Sequence, residues 1–289
     1  MGERRGALVM KGPVLVILAA GRARRFGGIK PLAPIGVHGE AVIDLIASDA
    51  VAAGFGHIVV VINPDTGPVI REHIAANWPA SVSVAFAIQE RPLGTVHAVL
   101  SAEAELDTTV PFGVCNADDL YGRDAMLTLG NHLSHATNNC LVGFRLDQAL
   151  VGDQPVTRGV CNVEGGLLTG IAERRQVSLT ANGFVSADGL EPKSLSPDNL
   201  VSMNLWGFAP SMWSVFHAAM NAAEASEEAE VLLPEIVGQE LTSGRATFAV
   251  IPATSQCVGV THPDDLAIVQ EEIRKQVASG MRPERAFNN

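Results

Sequence analysis

The hydrophobic pattern of the chain changes character near its middle. Residues 14–20 form a short, β-branched apolar run, too short to cross a bilayer, that reads as a buried strand. Helical spacing follows over 41–53 through Val42, Ile43, Leu45, Ile46 and Val51, with Gly54 suited to the C-terminal cap. Apolar strands at 57–62, 83–88 and 110–115 then alternate with helices at 67–78 and 94–104. Near-continuous apolar strands alternating with amphipathic helices predict an α/β fold, Rossmann-like, with an open, mainly parallel sheet and helices on both faces. Beyond Gly122 a helix at 123–136 and a strand at 140–145 precede shorter, alternating stretches at 158–163, 167–173 and 201–208. These predict antiparallel additions that make the sheet mixed. The polar stretch 176–199 reads as a mobile loop or lid. Helices at 211–225, 231–242 and 262–279 and a strand at 246–251 complete the pattern. We read residues 1–12 as a flexible lead and 13–289 as a single domain with halves at 13–136 and 137–289.

Composition narrows the class. The 289 residues carry a net charge of −11, which argues against a general nucleic-acid binder. No segment is long enough to read as a membrane span, so no membrane partner is expected. Cys115, Cys140, Cys161 and Cys257 are far apart and lack zinc-type spacing, which reads as buried thiols in a reducing, cytoplasmic setting. The eight His residues are scattered without metal-site pairing, so no structural metal is read.

In so acidic a chain, a local cluster of cations stands out. After the first strand come Ala19, Ala20 and Gly21, then Arg22, Arg24, Arg25 and Lys30 around Gly27-Gly28, with Pro31 next. Backbone N–H groups in a small-residue turn can surround phosphates while Arg and Lys neutralise them. The bland alternative is a turn with a solvated basic rim. A secretory signal is disfavoured, because the apolar run is barely long enough and cations occupy the place of a cleavage site. Lys30 is not followed by Ser or Thr, so this is no Walker A loop, and Gly21-Arg22-Ala23 breaks the dinucleotide fingerprint.

Asn116-Ala117-Asp118-Asp119-Leu120-Tyr121 follows directly on the fourth strand. Ligands of open α/β sheets bind beyond the carboxyl ends of the strands, so these residues belong to the same crevice as the basic loop. A carboxylate there suits Mg²⁺, which takes few protein oxygens and completes its shell with phosphate and water. Adjacent carboxylates point in different directions, so one of the two is expected to be the ligand; the bland reading is a helix cap. Gln89, before Pro92-Leu93-Gly94-Thr95, has an amide able to read a base edge, and Gly94 would let the base lie against the backbone.

Together these segments resemble the nucleotidyltransferases that activate sugar 1-phosphates, the nucleotide-sugar pyrophosphorylases. The resemblance runs through Leu18 to Gly21, Arg25-Phe26 and Lys30-Pro31 for the signature loop, Gln89 to Val96, Ala117 to Tyr121, Arg158-Gly159-Val160 with Ile171-Ala172-Glu173-Arg174, and Ser202 to Phe208. It implies that a phosphate oxygen of a sugar 1-phosphate or similar acceptor attacks the α-phosphorus of a nucleoside triphosphate, with pyrophosphate leaving. Carried over by position, Arg25 would grip the triphosphate, Lys30 would bridge the reacting phosphates, and Asp118 would hold Mg²⁺. Leu18, Ala19, Ala20, Gly21, Arg22, Ala23, Arg24, Gln89, Gly94 and Thr95 would bind the nucleotide. Tyr121, Gly159, Glu173, Arg174 and Asn204 would face the acceptor, Arg174 standing in for a lysine beside its phosphate. Trp206 reads as core. The 13–136 half becomes the nucleotide-binding half and 137–289 the acceptor half.

Three departures qualify the resemblance. Ala23 replaces a glycine, and Arg24 replaces a small hydroxyl residue. Gly259, within Cys257-Val258-Gly259-Val260-Thr261, stands where many members carry an aspartate that is a second metal ligand. Either Asp118 and the phosphates suffice for Mg²⁺, or Asp119, Glu173 or Asp264 contributes. A cyclitol phosphate or phosphocholine acceptor, and a catalytically silent nucleotide-sugar sensor, are the alternative readings. The base, the acceptor and any homo-oligomer stay open.

Overall fold

The first strand lies inside the parallel part of the sheet, where its alternation serves two cores. The structure, a computed structural model, describes residues 12–21, 27–150, 154–181, 183–226, 230–260 and 265–287. Strands β1 (Val14–Leu18), β2 (His57–Ile62), β3 (Val84–Ile88) and β4 (Phe112–Asn116) pair in the order β3-β2-β1-β4, all parallel. Leu15 and Ile17 of β1 pack with helices α1 (Val42–Ala52), α2 (Gly67–Asn77) and α4 (Arg123–His135) on one face. Val14 and Val16 pack on the other face with α3 (Thr95–Ser101). This is why the strands read as continuous apolar runs: both faces are covered, and each fully buried aliphatic side chain contributes about 1.5–3 kcal/mol.

The rest of the sheet is built by β6 (Asn139–Arg145), β7 (Val156–Glu164), β8 (Leu167–Thr180), β9 (Gly183–Ser186), β10 (Ser194–Leu195), β11 (Leu200–Phe208) and β12 (Phe248–Pro252). β11 runs antiparallel between β4 and β6, β12 lies parallel to β6, and β7 joins β11 to β8. The mixed, mainly parallel-centred sheet expected from the sequence is present. Helices α5 (Met212–Ser226) and α6 (Leu233–Thr242) cover the α3 face, and α7 (Asp265–Ala278) covers the other. A separate short pair, β5 (Asp119–Leu120) with β13 (Val258–Gly259), has no counterpart in the hydrophobic pattern.

Two expectations about local structure change. β1 stops at Leu18, so Ala19 and Ala20 leave the strand, although the Ala19 N–H still donates to the Val61 carbonyl at 2.8 Å. The stretch 176–199 is not a free lid: β8 runs on to Thr180, β9 folds back on it, and β10 adds to β9. Val177, Phe184 and Leu195 are buried beneath this hairpin, apolar anchors diluted in a polar sequence. The residues after α7 return to α1, where Arg282 makes a two-pronged buried pair with Asp49 at 3.0 and 2.7 Å.

Candidate active site

The strand order places the site. The chain leaves β1 toward β2 and β3, then returns to β4 on the other side of β1, which makes the β1–β4 junction a switch point where ligands bind. Leu18 and Asn116 are register partners at the carboxyl ends, and the Ala117 N–H donates to the Leu18 carbonyl at 3.2 Å. The loops carrying Gly21 and Asp118 therefore emerge side by side. Buried Asn63 fixes the first loop: its Nδ2 donates to the Ala20 carbonyl at 3.0 Å, while its Oδ1 accepts from the N–H groups of Asp65 and Thr66. A Cβ added at Gly21 would meet no atom of the described residues within 4 Å, so packing against them does not explain that glycine.

Lys30 opens a single 3₁₀ turn, Lys30–Leu32, and its Nζ lies 3.4 Å from Asp118 Oδ2. Both line a pocket of about 140 Å³ with Leu18, Ala19 and Gly21. Arg22, Ala23, Arg24 and Arg25 lie outside the described residues, as does Asp264.

Asp118 also lines a cavity of about 560 Å³ with Leu18, Ala20, Gly21, Gln89, Gly94 and Thr95. Gln89 is buried and spends one amide hydrogen on the Gly94 carbonyl at 3.0 Å. Gly94 has a packing reason beside the one read in the sequence. Its φ is +92°, and a Cβ there would lie 2.3 Å from the Val231 carbonyl oxygen, so the glycine permits a close backbone contact with the segment before α6. The Thr95 hydroxyl accepts the Leu233 N–H at 2.8 Å, tying the same two segments together.

A second cavity, of about 270 Å³, is lined by Asp119, Arg158, Gly159, Glu173, Ser202 and Asn204, among others. Asn116, Asn204, Thr95 and Leu232 line both cavities and form their common wall. Asn204 has a positive φ of 60° where β11 shifts register between Ser202 and Trp206. That bulge turns its side chain out of the sheet's regular alternation. Its Oδ1 accepts the indole N–H of buried Trp206 at 3.1 Å, which leaves the amide NH₂ for other partners. The two adjacent carboxylates do point apart. Asp118 reaches Lys30, while Asp119 Oδ2 accepts from Asn116 Nδ2 at 3.0 Å. Burial, then the Asp118 charge, push the Asp119 carboxyl up to about 6, against the lowering pull of Asn116, Arg158 and Lys30.

Two residues assigned to the acceptor are engaged elsewhere. The buried Arg174 guanidinium donates to both Asp188 oxygens, at 2.7 and 3.1 Å, and to the carbonyls of Leu190 and Pro192. Side chains alternate along a strand, so Glu173 faces the cavity and Arg174 the opposite side. Tyr121 is fully buried: its hydroxyl donates to the Met203 carbonyl and accepts the Asn116 N–H, both at 2.9 Å. It braces the end of β4 against the β11 bulge and presents no group to the cavity. Sequence reasoning gave no role to Asn63, Asn116 or Arg158. Asn63 was visible as the strand-ending Asn-Pro, Asn116 as the first residue of the turn after the fourth strand and Arg158 as part of the segment resembling an acceptor site, but nothing local marks what their side chains bond.

Asp118 fits a divalent cation in kind, as a hard oxygen donor that opens on two cavities, and Mg²⁺ commonly takes one or two protein carboxylates. Among the described residues no group of three or more His, Cys, Asp or Glu gathers to hold a metal alone. No helix of the described residues is long and apolar enough to cross a membrane.

The sequence matches the model of the nucleotidyl transferase family over residues 14–152, the segment that carries β1, β4, Lys30 and Asp118. That segment belongs to the family, and the chain is an enzyme of nucleotidyl transferase type. No curated protein matches the sequence. Among solved structures, the chain is similar to an inositol-1-phosphate CTP transferase from T. maritima, with a TM-score of 0.67 and 14% identity, covering 92% of this chain and 96% of that one. It is also similar to a UDP-glucose pyrophosphorylase complexed with UDP-glucose, with a TM-score of 0.64 and 16% identity, covering 91% and 99%. At these identities the likeness establishes the fold.

Proposed function

We propose that the protein transfers a nucleotidyl group from a nucleoside triphosphate to a phosphorylated, polyhydroxylated acceptor, a sugar 1-phosphate or a cyclitol phosphate. The observation that carries this reading is the pair of cavities sharing the Asn116–Asn204 wall, with the Lys30–Asp118 pair beside it. A triphosphate lies along the Gly21 side with its base toward Gln89, and the acceptor lies against Gly159, Glu173 and Asn204. An acceptor phosphate oxygen attacks the α-phosphorus in line. The new P–O bond forms as the bond to the β-phosphate oxygen breaks, and pyrophosphate leaves with the electron pair. Little covalent work falls to the protein, so positioning and charge dominate. Lys30 stabilises negative charge gathering at the α-phosphorus. Asp118 would hold Mg²⁺, which supplies charge neutralisation to the phosphates when bound.

The acceptor class follows from the lining. Carboxylates and amides accept and donate to vicinal hydroxyls, whereas a quaternary ammonium calls for an aromatic cage. Among the described residues of the second cavity there is no aromatic side chain, which favours a polyol over phosphocholine. The similarity to an inositol-1-phosphate transferase supports keeping cyclitols beside sugars. The test is pyrophosphate release from each common triphosphate with Mg²⁺ and a panel of sugar, cyclitol and choline phosphates. Release with a polyol phosphate is expected. Turnover of phosphocholine alone overturns the acceptor class, and nucleotide-sugar binding without turnover makes the protein a sensor.

A further inference from the structure

The Gln89–Thr95 loop of the nucleotide-side cavity is held by a segment far along the chain. The Val231 N–H donates to the Leu93 carbonyl at 3.0 Å, and the Val96 N–H donates to the Val231 carbonyl at 3.1 Å. With the Leu233 N–H on the Thr95 hydroxyl at 2.8 Å, these bonds lace the residues before α6 onto the turn that carries Gly94. Glu230, next to Val231, thereby lines the cavity of about 560 Å³ together with Gln89, Pro92 and Gly94. It is exposed, and among the described residues no hydrogen bond or ion pair engages it. Arg91, the cation of the same loop, pairs instead with Glu224 at 3.6 Å.

A carboxylate suits a cavity that receives a triphosphate only where it stands away from the phosphates. Glu230 meets that condition. The Lys30 pocket shares Leu18, Gly21 and Asp118 with this cavity, and the second cavity shares Asn116 and Asn204, but Glu230 lines neither of them. With the base toward Gln89 and the phosphates toward Asp118, the part of a nucleotide between them is the ribose, whose hydroxyls are donors. A carboxylate accepts such hydrogen bonds strongly, and an acidic side chain on the ribose 2′-hydroxyl is the arrangement of dinucleotide-binding folds.

We propose that Glu230 is a specificity-determining residue for the nucleotide sugar, its carboxylate accepting from the 2′-hydroxyl, so that the donor is a ribonucleoside and not a 2′-deoxyribonucleoside triphosphate. The inference rests on the reading of function given above, which places the base beside Gln89.

The test compares UTP with dUTP, CTP with dCTP, ATP with dATP and GTP with dGTP on the full chain, in the wild type, Glu230→Ala and Glu230→Gln. Calorimetry measures binding of each triphosphate alone, and kcat/KM is measured with whichever acceptor the wild type turns over. The wild type is expected to favour the ribo form about tenfold, the lower end for a hydrogen bond to a charged group because Glu230 is exposed. In Glu230→Ala the preference should fall to within about twofold, through weaker handling of the ribo form alone. Glu230→Gln, which still accepts but carries no charge, should fall between. A wild type that handles both forms alike or prefers the deoxy form overturns the inference and leaves the functional reading standing. So does a Glu230→Ala protein that keeps the preference, or one that loses both forms equally. A wild type that binds triphosphates but releases no pyrophosphate with any acceptor overturns the functional reading, while the binding comparison still decides this inference. One that binds no triphosphate overturns both.

Discussion

Asp119 Oδ1 lies 2.3 Å from where a Cβ on Gly259 would stand. The two residues are register partners in the short β5–β13 pair, so the glycine makes room for the carboxylate of the facing strand. The Ser255 hydroxyl donates to the Tyr121 carbonyl at 2.7 Å, and Asp124 accepts the N–H groups of Thr254 and Ser255, which pins the approach to β13. With the backbone held on both sides, the relationship is one of side-chain volume. Gly259→Ala should therefore push the Asp119 carboxylate away from Asn116 and cost about 1–3 kcal/mol, the range for overpacking. The double variant Gly259→Ala/Asp119→Ala should recover most of that loss. Denaturant unfolding of the four proteins in a cycle checks it, and additive losses would refute direct coupling.

The same pair marks what the sequence could and could not disclose. The β1 and β4 strands were legible because both faces of a central parallel strand are buried, leaving continuous apolar runs. Lys30 and Asp118 were legible because each follows such a strand, and the structure brings them to 3.4 Å. The β5–β13 pair was not, since two-residue strands leave no periodicity. Arg174 was misread because its partner, Asp188, lies 14 residues on in a stretch that reads as loop. A second reason for Gly94 was out of reach of the sequence: the close contact it allows is with Val231, far along the chain.

Lys30→Ala should lower kcat by about 10²–10³-fold, the usual loss of an aligned charge at a developing oxyanion, with a smaller rise in triphosphate KM. The ammonium is partly buried and pairs with Asp118, so its removal is expected to leave the fold intact. Normal turnover with only a raised KM would assign Lys30 to binding alone.

Asp118→Asn keeps size and removes the charge that a divalent cation needs. Chelation of the wild type and this substitution should both abolish pyrophosphate release, and Mn²⁺ binding followed by its paramagnetic signal should weaken in the variant. Asp119→Asn should be milder, because its Oδ2 is held by Asn116 and it does not line the cavity that Asp118 shares with Gln89. Equal loss of Mn²⁺ binding in both variants would put both carboxylates in the metal site.

The Arg174–Asp188 pair should act as a clasp for the turn between β9 and β10. The Arg174 guanidinium holds the Asp188 carboxyl well below the usual carboxylate range, helped by the N–H groups of Leu190 and Arg175. A folded value below the unfolded one means that the contribution is fully present above about pH 4 and drains away as pH falls through the folded value. Stability of this turn is therefore expected to be flat from pH 8 to 5 and to drop only in strong acid, which amide exchange corrected for intrinsic rates can follow across 187–193. At neutral pH, Asp188→Asn should mimic the acid state, leaving the Arg174 guanidinium with two carbonyls and a neutral amide. Trypsin should then cut after exposed Lys193 several-fold faster in Asp188→Asn than in the wild type, because local opening sets access. Acceptor KM should change little, since neither Arg174 nor Asp188 lines the second cavity. A large rise in acceptor KM with unchanged cleavage would return Arg174 to the acceptor site.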